Sequence, residues 1–201
     1  MIQTDLNFVL TLLMIQGVLG ALDTLYYHEW KYRLPALWKH SALELKLHAI
    51  RDLIYACIFI LLPQFAWHGM FSWLLLGLLL SEIIITCIDF VIERKVRAVW
   101  GGLANGELIM HTCMAILYGA FLLALLPHVV AWSYAETQWA SHSQTISPVL
   151  IYGMSLMGIG VFFAGMRDLL LSFKSLSPRL KRYCMWPWSP SEEVPQVGPG
   201  Y

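Results

Sequence analysis

Residues 107–126 read Glu-Leu-Ile-Met-His-Thr-Cys-Met-Ala-Ile-Leu-Tyr-Gly-Ala-Phe-Leu-Leu-Ala-Leu-Leu, and no Asp, Glu, Lys or Arg follows Glu107 until Glu136. About 20 apolar residues carry a helix across the hydrocarbon of a bilayer, so this stretch predicts a transmembrane helix. It opens with Glu107 and His111, four residues apart and therefore on one helix face. Ionisable groups at the edge of a span are expensive and need a physical reason.

The rest of the chain resembles this stretch. Residues 6–22, 53–81 and 137–166 also lack all four charged residue types. Pro63-Gln64 and His68-Gly69 divide the second of these with turn chemistry. Spans are expected near 6–28, 43–66, 70–97, 104–127 and 147–172. Of the 201 residues, 58% are hydrophobic and only 13% charged. A soluble domain carries about 25% charged residues, so this chain is short of polar surface. That excludes a soluble enzyme, a disordered tail protein and a nucleic-acid binder. Cys57, Cys87, Cys113 and Cys184 show no paired spacing, which argues against a disulfide framework or a cysteine zinc site. The expected class is an all-α integral membrane protein: five transmembrane helices, with residues 1–176 forming the membrane domain and 177–201 a Pro-rich tail.

All 13 basic residues fall near residues 31–51, near 94–97 or after 166. The positive-inside rule then places the N-terminus outside and the C-terminus in the cytoplasm. Nine tryptophans near the span ends form an aromatic belt.

The pair Glu107 and His111 has a counterpart, Glu44 and His48, at an offset of 63 that continues through Tyr55/Tyr118. The first and third spans align at an offset of 66, matching Asp23 to Asp89, Gln16 to Glu82 and Lys31 to Arg97. The chain reads as a duplicated helical hairpin, repeat one about 6–66 and repeat two about 70–127, forming a four-helix bundle with a fifth helix beside it. Both repeats enter from one side, so their pseudo-twofold axis runs along the membrane normal.

Alternating topology puts Asp23, Glu44, His48, Asp89, Glu107 and His111 at a similar depth near the cytoplasmic face. Four carboxylates confined there repel one another, and two divalent cations would cancel their charge. The same inventory, four carboxylates and two histidines on four helices, is used by ferritin-like di-iron and di-manganese proteins. The resemblance is architectural, since those proteins space Glu and His at i, i+3 and this chain at i, i+4. Mixed oxygen and nitrogen ligands suit iron first, with manganese or zinc as alternatives. Other readings compete. Ser41-x-x-Glu44 matches a helix capping box, Glu107 lies in a first turn where acids suit the helix dipole, and Arg51 and Arg94 are alternative partners for the aspartates. Asp52, Glu82, Tyr55 and Tyr118 are supporting or substrate-contacting candidates. Glu93 and Tyr27 read as close to water, His28 and Glu29 as interfacial, and His68, His128 and His142 as outer-loop residues.

Three functions follow. The first is a dimetal membrane oxidoreductase acting on a lipid-like or quinol-like substrate, with reductant from an electron donor. The second is a haem b electron-transfer protein with His48 and His111 as axial ligands. The third is a non-enzymatic metal or proton carrier, or a subunit of a larger membrane complex. Topology is directly testable: a C-terminal reporter should be cytoplasmic, and a cysteine replacing Ser141 should label with an impermeant reagent from outside. Labelling only from the cytoplasm reverses the orientation.

Overall fold

The computed structural model describes residues 4–173. The chain is all-α apart from two two-residue strands. Helix α1 spans Leu6–Asp23 and continues as a π-helical segment, Thr24–Lys31. Helix α2 spans Trp38–Leu61, α3 Met70–Val96, α4 Asn105–Ser133 and α5 Pro148–Ser172. Strands β1, Ala66–Trp67, and β2, Trp139–Ala140, pair antiparallel and tie the α2–α3 turn to the α4–α5 loop. Among the described residues, four helical stretches are long and apolar enough to cross a membrane: Leu6–Lys31, Met70–Val96, Asn105–Ser133 and Pro148–Ser172. They make a multi-pass membrane protein the natural class. Helix α2 is as long, but Glu44, Lys46, Arg51 and Asp52 dilute its apolar character.

Local sequence explains the boundaries. Asp5 caps α1 by accepting from the Asn7 amide at 3.0 Å, and Pro148 begins α5, where a missing N–H costs nothing. Gly69 takes φ 58° between β1 and α3 and sits against Thr137, a place closed to a side chain. Helix α2 starts before the expected capping box. The Ser41 hydroxyl donates to Leu34 O at 2.8 Å and Leu37 O at 3.1 Å, so Ser41 braces the preceding loop and Glu44 is free for a tertiary partner.

The helices close a ring of contacts. α1 packs on α4, α4 on α3, α3 on α2, and α5 touches both α2 and α1. Glycines set the α2–α5 approach. A Cβ at Gly158 would stand 2.7 Å from Ile60 Cγ1, and one at Gly165 2.8 Å from Asp52 Cβ. Inside the ring, the half nearest the strands is apolar, with Val9, Leu10, Leu13, Ile58, Leu75 and Phe121 fully or almost fully buried. His128 belongs to α4 rather than to a loop; it is buried, its Nε2 2.9 Å from Thr4 O. His142 Nε2 meets Leu62 O at 3.0 Å, and burial lowers the pKa of its imidazole. At the opposite, basic end, Tyr27, Tyr32, Leu34, Leu45, Val96 and Leu171 form a second small apolar cluster. The polar layer lies between these two seals. The expected tail, 177–201, lies outside the described residues.

The close α2–α5 approach makes a prediction. Gly165→Val overpacks the contact and should cost about 1–3 kcal/mol, read as a lower melting temperature in detergent. Gly160→Ala, where a Cβ meets nothing within 4 Å, should melt at or above the wild-type temperature.

Candidate metal centre

The polar layer is assembled from both hairpins. Helix α1 ends in Asp23, whose Oδ2 lies 3.2 Å from His111 Nε2 on α4. Helix α3 supplies Asp89, whose Oδ2 lies 3.0 Å from His48 Nε2 on α2 and accepts from Arg51 Nη1 at 3.2 Å. Each histidine therefore pairs with the aspartate of the other repeat.

The π-helical segment changes what α1 contributes. An α-helix brings residue i+4 under Asp23, whereas an i→i+5 turn brings His28 there. His28 Nε2 stands 3.5 Å from Asp23 Oδ2, and its ring stacks on His48 with centroids 4.6 Å apart. His28 and Glu29 are buried, not interfacial. Glu29 pairs with Arg167 of α5, which also holds Asp168 at 2.6 Å. Glu93, expected close to water, is 2% exposed and reaches His111 Nδ1 at 3.4 Å.

Arg97 is the residue that the sequence reading left out. It follows α3, is wholly buried, and its guanidinium contacts three helices' carboxylates. Nη1 donates to Glu44 at 2.9 Å, while Nη2 donates to Glu93 at 3.0 Å and Glu107 at 3.1 Å. The same group lies 4.4 Å over the Tyr32 ring. Burial pushes the Tyr32 phenol up to about 12, so it remains a neutral hydroxyl, accepting from the Ala104 amide at 3.2 Å. The glutamates are thus not bare, as the charge argument from sequence had them. A signal was present: Arg97 lies four residues beyond Glu93 and eight beyond Asp89. It was masked by its repeat counterpart Lys31, which is exposed with its Nζ over the Tyr27 and Tyr32 rings at 5.4 and 5.3 Å.

All six candidate ligands, Asp23, Glu44, His48, Asp89, Glu107 and His111, are buried in this one layer. Two groupings have donor atoms within 4.8 Å of one another: His28, Glu93, Glu107 and His111; and His28, Glu44 and His48. Asp23 Oδ1, Asp89 Oδ1 and Glu107 Oε2 are buried with no hydrogen-bond partner among the described residues. Asp52 lies elsewhere, against Gly165 of α5. Glu82 sits deeper, accepting from Tyr55 Oη at 3.0 Å and Thr86 Oγ1 at 2.9 Å. The Tyr118 ring is 6.3 Å from that of Tyr55. The chain matches no known protein family, no curated protein and no solved structure.

Removing Arg97 strands three buried carboxylates. Arg97→Met should cost about 3–5 kcal/mol, the penalty for breaking a buried charge network, while Lys31→Met should change little. Thermal unfolding of both variants in detergent checks this, and equal losses would mean that Arg97 is not the organising cation.

Proposed function

We propose that this protein is a five-span membrane oxidoreductase, N-terminus outside and C-terminus cytoplasmic, with a metal centre, iron favoured, in the polar layer near the cytoplasmic face. On this reading α2 is the remaining span, its charged half facing the layer and α5, and the two hairpins form a four-helix bundle with α5 alongside.

The observation that carries the reading is the reciprocal pairing of His48 with Asp89 and His111 with Asp23. A carboxylate on one imidazole nitrogen fixes the tautomer and raises the basicity of the other nitrogen, which is how metal-ligating histidines are held. The Nδ1 atoms of His48 and His111 would then be left to hold a metal, with Glu44, Glu93, Glu107 and His28 available to complete the donor sets. The aspartates orient histidines in this arrangement, a role distinct from the direct ligation first expected of them. Arg97 takes one oxygen of Glu107 and leaves the other, Oε2, for a cation. A haem between His48 and His111 would have to displace the stacked His28, and it gives the five acids no role.

The protein's own part is then clear in outline. The glutamates and imidazoles hold the metal, Asp23 and Asp89 orient the imidazoles, and Arg97 limits the surplus negative charge. The apolar half of the helix ring excludes water from the membrane side. A redox-active metal bound there supplies electron transfer to or from a substrate dissolved in the bilayer.

Metal analysis tests the proposal. Protein purified under reducing conditions with ferrous iron should carry metal in stoichiometric amounts by mass spectrometry. His111→Ala and Glu107→Ala should lower that content, whereas His142→Ala, at the strand end, should not. Wild-type protein that takes up no iron, manganese or zinc overturns the reading.

A further inference from the structure

A second polar layer lies two helical turns deeper than the first. Gln16 precedes Asp23 by seven residues, and Glu82 precedes Asp89 by seven. Tyr55 and Tyr118 follow His48 and His111 by seven. Because α1 and α3 run opposite to α2 and α4, all four offsets point the same way, about 10 Å further into the membrane at 1.5 Å per residue. These are also the repeat-matched pairs, Gln16 with Glu82 and Tyr55 with Tyr118. The duplication has thus preserved two polar layers, of which the metal reading uses only one.

The deeper layer is neither large nor strongly charged. Glu82, 4% exposed, accepts hydrogen bonds from Tyr55 and Thr86, while the Tyr118 hydroxyl donates to Leu79 O at 3.4 Å. Gln16 is 8% exposed, and its Oε1 is buried with no partner among the described residues. An orphaned buried acceptor costs about 1–3 kcal/mol, so it marks a place where a donor belongs. One turn from Gln16, on the stripe that leads to Asp23, half-buried Gly20 has nothing within 4 Å of where its Cβ would stand. The repeat counterpart of Gly20 is Thr86, which fills that position beside Glu82. The wall is aromatic: Tyr55 stacks on Phe59 at 5.5 Å and Tyr118 lies 5.7 Å from Phe121.

We infer that Gln16, Glu82 and Tyr55 form the seat for the hydroxyl of a neutral aromatic diol, a hydroquinone carried in the bilayer, which enters beside Gly20. The vacant acceptor requires a donor, which a quinone or an ether does not offer. The depth requires a neutral head, because a charge at that level pays heavily for desolvation. The ring-lined wall suits a flat aromatic group better than an alkyl alcohol. This inference rests on the membrane oxidoreductase reading and names its substrate class.

Binding separates the two claims. Full-length protein in detergent would be titrated with decylhydroquinone, with its dimethyl ether and with decanol, following the shift in melting temperature and the affinity by calorimetry. The hydroquinone should bind and stabilise, and the ether and decanol should bind at least about tenfold more weakly, the worth of one hydrogen bond. Gln16→Leu and Glu82→Gln should each weaken hydroquinone binding by about tenfold while keeping wild-type metal content. Gln16→Leu carries the test alone where Glu82→Gln fails to fold. Equal binding of hydroquinone and ether, or wild-type affinity in a folded Gln16→Leu variant, overturns the seat. Hydroquinone binding to wild-type protein that holds no metal supports the seat and removes the metal reading instead.

Discussion

One guanidinium, wholly enclosed, holds glutamates from three helices. Arg97 reaches Glu44 of α2, Glu93 of α3 and Glu107 of α4 within 3.1 Å. None of these acids could stay ionised in a low-dielectric interior alone, so the positions of three helices are coupled through one side chain. A planar fork with several fixed donors serves the three carboxylates from two separate nitrogens, whereas a lysine would have to reach all of them from one. The Tyr32 ring covers the open side of the fork, and the small apolar cluster around Leu34, Leu45 and Leu171 keeps water from competing.

The charge balance of the layer shapes what it can do. Glu44, Glu93 and Glu107 share the guanidinium of Arg97, Asp89 has that of Arg51, and Asp23 meets only histidines, so the acids outnumber the arginines. His28, His48 and His111 lie among them. Arg167 answers a separate need, tying Glu29 of the π-helical segment to Asp168 of α5. In this way α5, which carries none of the repeated residues, fixes the segment that presents His28.

The division between polar and apolar halves follows from packing. Toward the strand end the ring is filled by leucines, isoleucine, valine and phenylalanine, with Trp67 fully buried under the paired strands. The acids gather at the other end, while the buried polar groups of this half, His128 and Ser72, are hydrogen-bonded to the backbone carbonyls of Thr4 and Gly69. The deeper layer of Gln16, Tyr55, Glu82 and Tyr118 stands at the border between the two halves.

Several features were legible in the residues alone. Charge-free runs of about 20 residues are local facts, and in lipid they permit little except helices. The four-residue and sixty-odd-residue spacings of Asp23, Asp89, Glu44, His48, Glu107 and His111 put them at a similar depth, because helical rise is nearly constant. Neighbour choice is different. Which histidine meets which aspartate depends on the order of helices around the ring and on the rotation of each, and apolar runs encode neither. Lys31 and Arg97 occupy matched positions, yet one lies exposed against tyrosine rings and the other is enclosed by glutamates. His28 joins the layer only because the backbone widens into a π-helical turn after Asp23, shifting the inward face by one residue from the α-helical period. The long apolar helices and the shared level of the polar residues thus follow from sequence, since they are properties of single helices. The cation at the centre and the identity of the pairs belong to the tertiary structure, where separate helices must share the cost of buried charge.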